Sequence, residues 1–226
     1  VNHLVNLSEK NNMRKYLSLI ISLVILLGVA AAVWLFSDVP TMTSGEAGIA
    51  AGTDKRLDNQ QAGEASIGAG DFSLIDANEN QVTQDILRDG KFSLVYFGFT
   101  SCPHVCPTTL GNMTVALERI GDNADKLQPI FISVDPERDT PEVIKEYISN
   151  FHPSFVALTG SEQQIAGASE AFKVYYQAEK QQDSANYNVN HSDFIYLISP
   201  EGKYITHFTQ EDSAEKISAE LIRYVR

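Results

Sequence analysis

Cysteine is scarce in this chain: its 226 residues contain two, Cys102 and Cys106. A single pair cannot build the multi-bridge framework of small secreted scaffolds, and a chain long enough for a full hydrophobic core does not need one. Positive charge is the second deficit. There are 17 Lys and Arg against 29 Asp and Glu, a formal charge of -12. That balance opposes a sequence-independent grip on a phosphate backbone and argues against nucleic acid as a partner. Two further absences are local. Residues 16–36, YLSLIISLVILLGVAAAVWLF, hold no charged side chain, and residues 37–70 hold no sustained apolar period.

A helix over residues 16–36 would be about 30 Å long, the hydrocarbon thickness of a bilayer. Lys10, Arg14 and Lys15 precede it, whereas Asp38 and Glu46 follow. The positive-inside rule therefore places residues 1–15 in the cytoplasm and exports the rest. The alternative is a cleaved signal peptide with Ala30, Ala31 and Ala32 before the protease, but the apolar run continues through Val33, Trp34, Leu35 and Phe36, which exceeds a normal signal core. The run therefore reads as a transmembrane anchor. Residues 37–70, rich in Gly, Ala, Ser and Asp, read as a flexible linker with a reach of roughly 30 Å. Residues 71–226 are left as one folded domain.

Within that domain FSLVYFGF, from Phe92, is a continuous β-branched and aromatic run, the mark of a strand buried on both faces. It leads directly into the cysteines. Pro107 suits the first turn of a helix that would bury Leu110, Met113, Leu117 and Ile120. PIFISV, from Pro129, reads as a second buried strand. Thr140 then caps a helix with Pro141 in its first position and Val143, Ile144, Tyr147, Ile148 and Phe151 along one face. A short strand is expected over 154–158, and Ser161 with Gln164 forms a capping-box pattern opening a helix that runs to about Phe172. Two strands, 194–198 and 204–208, flank the turn sequence Ser199-Pro200-Glu201-Gly202. A last helix, about 212–224, buries Ile217, Leu221 and Val225. Residues 177–190 are polar and read as a loop. The order of elements predicts an α/β, thioredoxin-like fold: a central mixed sheet flanked by helices, with the cysteines at the first strand-to-helix turn.

A helix amino terminus favours thiolate over thiol, and both thiol exchange and metal binding need the thiolate. The Cys-x-x-x-Cys step is about one helical turn, so the two side chains can meet. Three readings of the pair stand: a redox couple, a metal site, and a structural disulfide, which would close too short a loop to add much stability. Two soft thiolates suit Cu(I), Zn(II) or a similar ion, and such sites commonly recruit an imidazole. Of the five histidines, His3 lies on the cytoplasmic side of the anchor. His104, between the cysteines, reads as a surface residue, and His152 and His207 read as cap or filler. His191, in YNVNHSDFIYLISP, stands at the entry to the strand that a thioredoxin-like fold sets against the cysteine loop.

The segments TSCPHVCPTTL, SVDPERDTPEVIKEYISNF, LTGSEQQIAGASEAFKVYY and VNHSDFIYLISPEGKY together resemble the Sco (SenC) family across the globular domain. The resemblance implies one copper ion, Cu(I) and/or Cu(II), held by Cys102, Cys106 and His191. It also implies a role in assembling the dinuclear copper centre of cytochrome c oxidase subunit II, so that the expected partner is that copper domain or another copper protein. The location that follows is a bacterial inner membrane, single pass, with the domain in the periplasm, or the mitochondrial inner membrane facing the intermembrane space. Where the family commonly has Asp before the ligand histidine, this chain has Asn190, which removes a negative charge from the neighbourhood. Asp135 and Asp139 match the family and read as capping or loop-bracing residues. The leading function is a metallochaperone with no residue set for substrate turnover. The alternatives are a thiol:disulfide oxidoreductase using Cys102 and Cys106 without His191, or a redox or copper sensor. A peroxidase reading has only fold analogy behind it.

Overall fold

The computed structural model describes residues 66–180 and 187–225. The expected cytoplasmic segment, the anchor and almost all of the linker lie outside the described residues. Among the described residues no helix is long and apolar enough to cross a membrane.

The described residues form nine strands and four α-helices, with two short 3₁₀ helices at Gln84–Arg88 and Gly121–Lys126. In chain order the strands are β1 Ser73–Asp76, β2 Gln81–Thr83, β3 Phe92–Gly98, β4 Leu127–Ser133, β5 Val156–Thr159, β6 Tyr176–Glu179, β7 Asn188–His191, β8 Ile195–Ile198 and β9 Tyr204–Phe208. The helices are α1 Val105–Ile120, α2 Pro141–Ile148, α3 Glu162–Phe172 and α4 Ala214–Val225. Seven strands make one sheet in the order β2-β1-β5-β4-β3-β8-β9, while β6 and β7 pair separately. β3 runs parallel to β4, and β4 to β5, whereas β8 and β9 run antiparallel beside β3. The sheet is therefore mixed, and the expected α/β architecture is the one found.

β3 lies inside the sheet between β4 and β8, and Leu94, Val95, Tyr96 and Phe97 are fully buried, as a run without alternation requires. Leu94, Val95 and Phe97 each contribute roughly 1.5–3 kcal/mol by leaving water. α1 packs on this sheet through Leu110, Met113, Leu117 and Ile120, and α4 through Ile217, Leu221 and Val225. The local start signals hold as well. Thr140 accepts a hydrogen bond from the Val143 amide with Pro141 in the first turn, and Ser161 and Gln164 close a capping box on α3. Gly202 turns β8 into β9 with a φ of 77°, a conformation that favours glycine.

Two local expectations need correcting, and one pair of strands adds to them. Residues 177–190 are not simply a loop, because β6 and β7 flank the stretch and pair antiparallel, with Tyr176 opposite His191. β1 and β2 were not foreseen: both are short, and only Leu74 among their residues is buried. On α2 the apolar face is narrower than its sequence suggests, since Ile144 is buried but Val143 is 39% exposed.

Candidate metal centre

Gly98 ends β3, and the chain then passes through Phe99, Thr100 and Ser101 to Cys102. A Cβ on Gly98 would lie 3.0 Å from the Cys106 sulfur, 2.9 Å from a ring carbon of Tyr96 and 3.1 Å from one of Phe131. All three neighbours are fully buried and cannot swing aside, so the absence of a side chain at 98 is what lets Cys106 lie against the sheet. Cys106 is in the first turn of α1 and Cys102 just ahead of it. The Cys106 amide donates to the Cys102 sulfur at 3.4 Å. Both cysteines are free; Cys102 is half-buried and Cys106 fully buried.

The two thiols behave as a coupled pair. A hydrogen bond from the Cys106 thiol, joined by helix-terminal amides and opposed by partial burial, brings Cys102 down to about 5. The same bond, together with burial, pushes Cys106 well above its ordinary range. Cys102 is thus the thiolate near neutral pH and Cys106 keeps its proton. Alkylation of Cys102 by iodoacetamide is expected to run near its maximal rate from about pH 8 to about pH 6, then fall by half near pH 5. Mass mapping of the modified peptide against pH checks this. A rate still climbing tenfold per unit at about pH 7–8, as for an ordinary thiol, would contradict it.

His191 ends β7, half-buried, with its Nε2 3.6 Å from the Cys106 sulfur. Its Nδ1 lies 2.9 Å from the Ser192 carbonyl oxygen. A carbonyl can only accept, so in the neutral ring Nδ1 carries the proton and the Nε2 lone pair faces the sulfur. The ring is set edge-on to Phe99 at 5.9 Å and to Tyr96 at 6.2 Å between centroids. One thiol proton on Cys106 therefore has two acceptors in reach, the Cys102 sulfur and His191 Nε2. As they stand, no group of three or more His, Cys, Asp or Glu among the described residues is drawn together tightly enough to hold a metal ion. Two sulfurs and an imidazole nitrogen of this kind suit a soft ion, and closing on one requires the loss of that proton.

The remaining sequence candidates fall outside this cluster. His104 is exposed; His152 bonds Ser154, and His207 bonds and stacks on Tyr204. Asn190, next to His191 on β7 and so directed to the opposite face, is exposed and donates to Glu179 at 2.6 Å. An Asp there would meet the Glu179 carboxylate instead. Asp139 is the loop brace: it accepts from the Thr100 amide, the Thr100 hydroxyl and the Ser133 hydroxyl. Burial raises its carboxyl pKa against those donors. Sequence reasoning missed Gly98, whose signal was a glycine inside an apolar strand run. It also missed Arg138, whose contacts are wholly tertiary.

A thioredoxin-like sheet with a thiolate at the first strand-to-helix turn and an oriented imidazole beside it defines a domain for thiol or soft-metal chemistry. Residues 60–226 match the SCO1/SenC family model, and the chain belongs to that family. An SCO2-like protein of Rickettsia felis is 42% identical over 202 residues, covering 89% of this chain and 93% of its own. The structure of Bradyrhizobium japonicum ScoI with copper bound shares 40% identity at a TM-score of 0.63, covering 69% of this chain and 98% of that one. BsSco, a member of the Sco family of cytochrome c oxidase assembly proteins in which a disulfide switch was identified, is 25% identical at a TM-score of 0.54, covering 69% and 91%.

Proposed function

We propose that this chain is a membrane-tethered copper metallochaperone that takes copper as cargo through Cys102, Cys106 and His191. Its recipient is the dinuclear copper centre of cytochrome c oxidase subunit II. The observation that carries the reading is the orientation of His191: Nδ1 is tied to a backbone carbonyl, and the free lone pair of Nε2 faces Cys106. That is how proteins prepare an imidazole to bind a metal. Copper in the solved B. japonicum ScoI and the oxidase assembly role of the BsSco family support the cargo and the recipient. The uncharged run at 16–36 and the acidic, linker-like 37–70 support a tether with the domain on the exported side of an inner membrane, bacterial or mitochondrial.

Titration of the reduced protein with copper, followed by its charge-transfer absorption, tests this. One ion per chain is expected, with release of about one proton at pH 7, because Cys102 is already ionised and Cys106 is not. Loss of binding on oxidising the pair to a disulfide should accompany it. Binding that survives oxidation would remove the thiols as ligands and the proposal with them.

A second reading has its own support: Cys102, with its pKa lowered to about 5, is the attacking thiolate of a thiol:disulfide oxidoreductase, and Cys106 stands behind it to resolve the mixed disulfide. It predicts exchange with an oxidised copper-site protein that does not require His191.

A further inference from the structure

The two halves of the site are carried by different parts of the fold. The cysteines sit on the seven-stranded sheet and α1, whereas His191 belongs to the two-stranded ribbon β6–β7, which shares no strand pairing with that sheet. An isolated two-stranded ribbon is marginally stable in water, so something else must fix where it lies. Near His191 the ribbon closes on itself, the Ser192 amide donating to the Tyr175 carbonyl and the Tyr175 amide to the Ser192 hydroxyl. The far end of β7 is held from outside, at Tyr187.

Arg138 holds it. Its Nη1 donates to the Tyr187 carbonyl at 3.0 Å, and its guanidinium lies 3.7 Å from the centroid of the Tyr187 ring. Its Nε pairs with Asp135, which is 3% exposed, and the Tyr187 hydroxyl donates to the other oxygen of the same carboxylate. The guanidinium also stands 5.8 Å over Phe99, the ring against which His191 is set edge-on. From Asp135 the bonds continue into the cysteine loop. The Asp135 amide donates to the Ser133 hydroxyl, which donates to Asp139, and Asp139 accepts from Thr100, two residues before Cys102. A connected set of partly buried polar contacts therefore runs from the thiol-bearing loop to the imidazole-bearing ribbon, and Arg138 is the member that touches both.

We propose that Arg138 is a positioning residue that fixes His191 against the cysteine pair by clamping Tyr187 onto Asp135 and Phe99. The proposal rests on reading Cys102, Cys106 and His191 as one donor set. Lysine cannot replace it, because a single ammonium cannot pair with the carboxylate, bond the carbonyl and stack on the ring together.

The test compares the wild type with Arg138→Met and Arg138→Lys by two readouts. In the metal-free protein, carbethoxylation of His191 by diethylpyrocarbonate, resolved by peptide mass mapping, is expected to rise by roughly tenfold in both variants as the ribbon opens locally. Cys102 alkylation should stay at the wild-type rate. In the copper(II)-loaded protein, both variants are expected to lose the imidazole nitrogen couplings in electron paramagnetic resonance, with affinity lower by about 10–100-fold. Tyr187→Leu, which removes the ring and hydroxyl contacts of the clamp but keeps the carbonyl bond to Arg138 and the Arg138–Asp135 pair, should raise His191 reactivity and weaken the nitrogen couplings in the same direction by a smaller factor, and serves if Arg138→Met does not fold. Wild-type His191 reactivity and nitrogen couplings in folded Arg138→Met would overturn the proposal. Absent nitrogen couplings in the wild type would instead sink the three-ligand reading, and the metal-free reactivity would still judge Arg138.

Discussion

Replacing His191 with Ala is expected to lower copper affinity by more than about 100-fold, because removing a ligand should cost at least as much as removing an outer partner of one, which typically costs 10–100-fold. The fold should survive. His191 is half-buried at the end of a strand outside the main sheet, and its truncation uncovers only the ring faces it meets on Phe99 and Tyr96. Thermal unfolding within about 2 °C of wild type is therefore expected. Isothermal titration with a competing chelator measures the affinity, and thiol exchange with an oxidised partner measures the second activity. Affinity lost with exchange intact supports the two-sulfur, one-nitrogen site. Affinity unchanged removes His191 as a ligand and leaves the oxidoreductase reading as the better one.

Asp139→Ala is expected to be the most destabilising single change near the site, by about 3–5 kcal/mol. Asp139 is fully buried, and its carboxylate accepts from the Thr100 amide, the Thr100 hydroxyl and the Ser133 hydroxyl. Truncation leaves three donors in a buried setting, each costing about 1–3 kcal/mol if it finds no water or new partner. For a domain of this size the loss corresponds to a fall in Tm of about 10 °C. Asp139→Asn, which keeps the shape and one acceptor, should lie between. The released Thr100 also frees the cysteine loop, so Cys106, shielded in the wild type, should become open to alkylation in Asp139→Ala. A loss below about 1 kcal/mol would show that the loop is braced by other contacts.

The features legible in the sequence were those whose causes are local. FSLVYFGF declares β3 because a strand covered on both faces has no polar positions, and Thr140-Pro141 and Ser161 with Gln164 declare helix starts because a cap bonds amides two or three residues away. His191 was reached through the fold and the family resemblance, and the structure brings its Nε2 within 3.6 Å of Cys106. The ribbon was not legible. With β6 exposed except for half-buried Tyr176, and only Val189 buried on β7, it has no apolar alternation, so its pairing leaves little trace in composition. Arg138 was illegible for the same reason: its partners at Tyr187 and Phe99 are about 50 and 40 residues away, and only the folded chain brings them together.

The two sulfurs differ in reach: Cys102 opens to solvent, while Cys106 is sealed between the sheet and α1. A competitor arriving from outside, whether a thiol or the ligand of a recipient protein, meets them in a fixed sequence. Exchange would begin at the outer sulfur and finish at the inner one, so the path is directional without any moving lid. For the proposed copper cargo, selectivity would then depend on what can approach Cys102, and final release on how readily Cys106 recovers its proton.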